Sequence, residues 1–188
     1  MVDKIKAFLP MKIAIILICA LIYLVGQQVL RLSANDPQIQ ISEDIVKAIE
    51  EGRDPGQMMP PTKTNIATSL SVFGIIFDDS GKIISSAAEL DGKDPQLPVG
   101  VLNYARSKGQ SRITWQPKPG VREAVVVTKF GGSKPGFVLI GRSLREVERR
   151  ESLLLRQVVF GGILILVAVF AASLIFEDKK GKKKRWLF

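Results

Sequence analysis

Histidine is missing from the 188 residues, and the single cysteine, Cys19, lies inside an apolar run. These two absences exclude imidazole metal ligation, Ser/His and Cys/His catalytic pairs, and any intramolecular disulfide. Catalytic motifs are equally scarce. No G-x-S-x-G or S-x-x-K sequence supports a serine nucleophile; Ser107-Lys108 and Ser133-Lys134 are adjacent pairs in turn contexts. Gly131-Gly132 reads as a hairpin turn, not a phosphate-binding loop. Asp78, Asp79, Asp91 and Asp94 lack EF-hand spacing, and Asp78-Asp79-Ser80-Gly81 is explained as turn chemistry. The expectation is a protein that is not an enzyme and holds neither cofactor nor metal.

Acidic residues are in the minority, 18 against 27 basic, for a net charge of +9. The excess is concentrated at the ends: Lys4, Lys6 and Lys12 at one, and Lys179, Lys180, Lys182, Lys183, Lys184 and Arg185 at the other. The remainder is only about +3, with no basic stripe and no interleaved aromatics, which argues against nucleic acid as a partner. The C-terminal group reads as a juxtamembrane polybasic segment, worth about 1 kcal/mol per residue against anionic lipid. Trp186, Leu187 and Phe188 would dip into the interface; a plain stop-transfer flank explains the same residues.

Two charge-free runs dominate the hydropathy pattern, Ile13–Leu30 and Gln157–Phe176. As helices they measure roughly 27 and 30 Å, close to the hydrocarbon thickness of a bilayer. The first run also fits a signal peptide, but no A-x-A pattern follows it, which favours an uncleaved anchor. Basic residues outside both runs put both termini in the cytoplasm of a two-pass plasma-membrane (inner-membrane) protein. The reading divides the chain into a tail at 1–12, spans at 13–31 and 153–176, an outward domain at 32–152, and a polybasic tail at 177–188. The outward segment has no Asn-X-Ser/Thr sequon, in keeping with a bacterial source.

Within that segment, Ile41, Ile45, Ala48 and Ile49 recur at helical spacing, with Asp36 as cap, Pro37 at the first turn and Gly52 as stop. After a proline-rich loop, Ser71–Phe77 is apolar on both faces and reads as a central strand, returning after Asp78–Gly81 through Lys82–Ser86. A helix is expected over Val99–Lys108, ended by Gly109, with Val99, Leu102 and Ala105 or Val101 and Tyr104 inward. Ser111–Gln116, Val121–Phe130 and Phe137–Arg142 follow as an antiparallel meander. Ile113 and Trp115 share one face of the first of these, and Arg112 and Thr114 the other. From Ser143 the period turns helical, and no breaker separates this helix from the second apolar run.

The hairpin SVFGIIFDDSGKIISSAAELDG, the join GFVLIGRSLREVE and the opening RLSANDPQIQISEDIVKAI resemble the PAS-like, Cache-type extracytoplasmic sensor domains of bacterial histidine kinases and chemoreceptors, over about residues 36–152. The fold implied is α+β, a five-stranded antiparallel sheet with flanking helices set between two transmembrane helices. The resemblance implies a ligand pocket over one sheet face, and the residues that map there are Tyr104, Arg106, Arg112, Trp115, Arg122 and Lys129. Guanidinium forks there suit a carboxylate. The same arginines also suit a solvated sheet face, and Trp115, in phase with Ile113, suits the core.

Such sensors continue past the second span into an output domain, whereas 12 residues follow Phe176 here, so relay to a separate membrane signalling protein is expected. Gly161-Gly162, Ala168, Ala171, Ala172 and Ser173 would admit a second helix closely, and Gln27 and Gln28 would hydrogen-bond across an interface, as in a homodimer. The competing reading is a structural or accessory subunit of a membrane complex, with no ligand.

Overall fold

The structure is a computed structural model that describes residues 9–184, with side chains as far as residue 172. Lys4, Lys6, Arg185 and Trp186–Phe188, and the side chains of Lys179, Lys180, Lys182, Lys183 and Lys184, lie outside the described residues. The chain forms two units, residues 9–30 with 149–184 in one and Arg31–Glu148 in the other.

The first unit is built from α1 (Leu9–Ser33) and the C-terminal helix α4 (Arg145–Lys184). Each includes a stretch long and apolar enough to cross a membrane, and no residue of those stretches is buried within the protein, as a core helix would be. The two helices approach at glycines. A Cβ on Gly162 would stand 3.1 Å from the Cys19 sulfur, and Gly26 leaves room for Leu154. The Gln27 amide donates to the Glu151 carboxylate. Expected as one element, the helix after the last strand is indeed continuous from Arg145 onward, because Glu, Arg and Leu supply good helix formers up to the apolar run.

In the second unit, α2 (Asp36–Glu50) starts one residue earlier than a cap at Asp36 would require. Asn35 holds the cap position without a side-chain cap bond, and Asp36 and Pro37 fill the first turn. Two short pieces unforeseen from the pattern sit in the connecting loops: a 3-10 turn at Pro55–Gln57, and the parallel pair β1 (Thr64–Asn65) with β4 (Ala88–Glu89). The sheet itself comprises β2 (Phe73–Asp78), β3 (Ile83–Ser86), β5 (Gln110–Lys118), β6 (Val121–Phe130) and β7 (Gly136–Ser143), all antiparallel, in the order β3-β2-β7-β6-β5. Helix α3 (Val99–Lys108) ends at Gly109, whose φ of 82° suits a residue without a Cβ.

The unit is thus α+β, a five-stranded antiparallel sheet covered on both faces. One face, with Ile76, Val138, Ile140 and Phe130, packs against Ile41, Ile45, Val46 and Ile49 of α2. The other, with Phe73, Ile75, Val125, Val127, Phe137 and Leu139, lies under Leu102 and Ala105 of α3 and under Ile66, Ala88 and Leu97 of the loops. Two-sided burial explains why β2 and β6 read as nearly continuous apolar runs. Of the two inward sets considered for α3, Leu102 and Ala105 are buried, Val101 half-buried, and Val99 and Tyr104 exposed.

Strand β7 touches β2 so closely that Gly136 has no room for a side chain: a Cβ would run into the Phe77 carbonyl oxygen and the Phe130 ring. Gly136→Ala is therefore expected to destabilise the protein by about 1–3 kcal/mol. Gly100→Ala, in a helix with nothing within 4 Å of the new methyl, should be neutral or slightly stabilising. Thermal unfolding of the full chain in detergent compares the two.

Candidate functional site

Helix α3 and strand β5 are joined through Gly109 alone, so the helix lies beside the free edge of the sheet. Between them runs an open groove of about 630 Å³, lined by Gly100, Val101, Tyr104, Gln110, Ser111, Arg112 and Ile113. Tyr104 and Arg112 are the two sequence-identified candidates that the fold brings together here. The other four lie elsewhere. Arg106 bridges α3 to the β2–β3 turn, with its Nε 3.3 Å from Asp79 Oδ1 and a terminal nitrogen 2.7 Å from Asn103 Oδ1. Its guanidinium also stands over the Phe137 ring. Arg122 is paired with Glu148, Lys129 is exposed on β6, and Trp115 is buried in the core with 5% exposure.

Arg112 begins a line of polar contacts that leaves the groove. Its Nε donates to Gln110 Oε1 at 2.8 Å, and Gln110 Nε2 donates to Thr128 Oγ1 at 3.2 Å. The Thr128 hydroxyl is 2.9 Å from Ser42 Oγ, which itself donates to the Ile39 carbonyl at 2.9 Å. With Ser42 donating to Ile39, Thr128 must donate to Ser42, and every hydroxyl has a consistent proton. The relay joins the sheet edge to the buried face of α2, where Gln38 and Ser42, not the isoleucines, are the most enclosed residues. Periodicity of apolar residues alone had no means to identify them.

The second unusual position is Glu123. It faces the apolar side of β6 in phase with Val121, Val125 and Val127, is 1% exposed, and neither carboxylate oxygen has a hydrogen-bond partner. In the sheet register it stands between Trp115 on β5 and Ser143 on β7. Burial pushes its carboxyl up to about 7, against the pull of Arg145. That guanidinium is engaged elsewhere, donating to the Thr68 and Ser69 carbonyls at 2.6 and 3.1 Å and to Ser143 Oγ at 3.3 Å. The signal was present in the sequence as a charge on the apolar phase of a strand. Asp78 is the contrasting acid, half-buried at the end of β2 and lowered by bonds from the Ser80 hydroxyl and the Lys82 amide.

Comparison with family models, curated proteins and solved structures gives no match for this chain. The site is therefore defined by its own geometry: an open groove with a cation and a phenol, a hydroxyl relay behind it, and a buried acid on the opposite sheet face.

The pH dependence of stability follows from Glu123. Between about pH 4.5 and 7 the folded protein holds a proton that the unfolded chain has lost, so unfolding releases it and stability falls as pH rises. The full difference of about 3 kcal/mol is reached above the folded value. Chemical denaturation of the full chain from pH 5 to pH 8 should show this decline, and Glu123→Gln should abolish it.

Proposed function

We propose that the chain is a two-pass membrane protein with cytoplasmic termini and a PAS-like sensor domain on the opposite side of the membrane. The domain takes an anionic ligand, a carboxylate or a carboxylate-bearing segment of a partner, in the groove between α3 and β5. The observation that supports this reading best is Arg112: a guanidinium at an open groove, next to the Tyr104 phenol and tied to α2 through Gln110, Thr128 and Ser42. An arriving carboxylate competes with Gln110 for Arg112, because a charged acceptor makes the stronger hydrogen bond. Gln110 is then free to reorient, and the change is felt at Thr128 and on α2.

The PAS-like reading rests on the element order, helix–strand–strand–helix–strand–strand–strand, closed by the return of the last strand beside the first. The membrane reading rests on the two apolar helices at either end of the chain and on the basic residues outside them. Output is assigned to a partner membrane protein. A non-sensing accessory subunit is the second reading, favoured by the dense filling beneath α3, where Phe73, Trp115 and Phe137 occupy the space of an interior pocket.

Two measurements test the proposal. Full-length protein in detergent is screened by thermal shift against small carboxylates; a ligand at 100 times its Kd adds about 2.7 kcal/mol. The shift should vanish in Arg112→Ala and shrink in Thr128→Val. Silence across the screen, with copurification of one protein at fixed stoichiometry, would instead establish the accessory subunit. For topology, Ser133→Cys in a Cys19→Ser background should react with a membrane-impermeant maleimide in intact cells, since Ser133 is exposed in the β6–β7 turn.

A further inference from the structure

Glu123 and Arg145 belong to the same corner of the sheet domain but are not bonded to each other. Glu123 is enclosed, with two unpartnered oxygens. Arg145, the first residue of α4, is attached instead to two neutral carbonyls of the 68–69 segment and to Ser143, the residue directly across from Glu123 in register. Few other charges compete. The 64–71 segment contains no ionisable residue, β5 contributes Trp115, and β7 contributes Ser143 and then Arg142, which faces the other side of the sheet and donates to the Leu70 carbonyl. Lys118 pairs with Asp91, and Arg122 with Glu148; Glu146 and Glu148 follow Arg145 on the same turn of α4.

We propose that Glu123 and Arg145 form a protonation-gated latch between the 68–69 segment and the start of α4. With the Glu123 carboxyl neutral, Arg145 holds the Thr68 and Ser69 carbonyls and the segment is clamped. When the proton leaves for solvent, the buried carboxylate requires a countercharge, and the guanidinium whose charge already acts on it is that of Arg145. Transfer of Arg145 to Glu123 forms a charge-assisted pair and releases the two carbonyls. The bistable element is the Arg145 side chain, with one set of acceptors in each protonation state. The consequence is an outward segment whose order, and a helix start whose anchoring, depend on pH near neutrality, independently of any ligand in the α3–β5 groove.

Trp115, opposite Glu123, is a built-in reporter, and Trp186→Phe leaves it as the only tryptophan. In full-length protein in detergent, Trp115 emission should titrate with one midpoint near neutrality, and Glu123→Gln should remove the transition. Hydrogen–deuterium exchange of the peptide over residues 64–72, taken as the ratio of wild type to Glu123→Gln at each pH, cancels the intrinsic pH dependence of exchange. That ratio should be near one at low pH and rise at least about fivefold above the midpoint. Arg145→Met should make the segment exchange quickly at every pH and move the emission midpoint up by about one unit, while Arg145→Lys keeps the midpoint. A flat exchange ratio, an unmoved midpoint in Arg145→Met, or no Trp115 transition in the Trp186→Phe protein would each overturn the latch.

Discussion

Pairing of β7 with both β2 and β6 is the constraint on which the sheet domain depends. β2 and β3 form one hairpin, β5 and β6 another, and neither buries enough surface to persist alone. The last strand inserts between them along its full length, from Phe73 opposite Gly141 to Asp78 opposite Gly136 on one side, and from Glu123 to Phe130 on the other. Both of its glycines lie where a neighbour leaves no space, Gly141 against the Phe73 ring and Gly136 against the Phe77 carbonyl. Close approach at these two rows lets both faces of the sheet be covered, by α2 on one side and by α3 with the loops on the other. The start of α4 follows within two residues, so the closing strand of the sheet also sets where that helix begins.

Elements with a strong period or sharp punctuation were legible in the sequence. Val121–Phe130 and Val99–Lys108 have the bounds that turn and helix signals suggest, because Pro119-Gly120 and Gly109 each impose a definite backbone. β5 is longer at both ends than its alternation indicated, since Gln110 and Lys118 join the ladder through backbone bonds that side-chain polarity does not report. β1 and β4 were illegible for a similar reason: two-residue pairs depend on what the rest of the chain places beside them.

The site was legible only in part. Arg112 and Tyr104 meet because α3 folds back along β5, whereas Arg106 and Arg122 are spent on ion pairs that no spacing rule indicated. Gln38, Ser42 and Glu123 show the reverse failure. Each is polar at a position whose neighbours three to four residues away, or two along a strand, are apolar, and apolar counting treats such a residue as noise. In the folded protein these exceptions are the most enclosed polar groups of the domain, among the described residues. A buried polar group without a packing reason costs stability, so such positions are where a function is to be sought.

The two polar features act on different elements, and this follows from the sheet's geometry. Adjacent residues of a strand point to opposite faces, so Thr128 meets α2 while Glu123, five positions earlier, faces the side under α3 and lies one row from the start of α4. β6 therefore carries two polar features that do not contact each other. In the two proposals, a carboxylate at Arg112 would be felt through hydroxyls on the α2 face, and a proton at Glu123 through Arg145 on the other. Because every residue between them on β6, Ala124 to Val127, is apolar and fully packed, there is no polar path from one to the other. Any coupling has to pass through movement of the strand itself, which the paired rows on both sides resist. Thr128→Val and Glu123→Gln are accordingly expected to affect stability additively, as distant sites without shared partners do. A large interaction energy in that double-mutant cycle would mean that β6 shifts as a unit, and that ligand and proton are read by a single device.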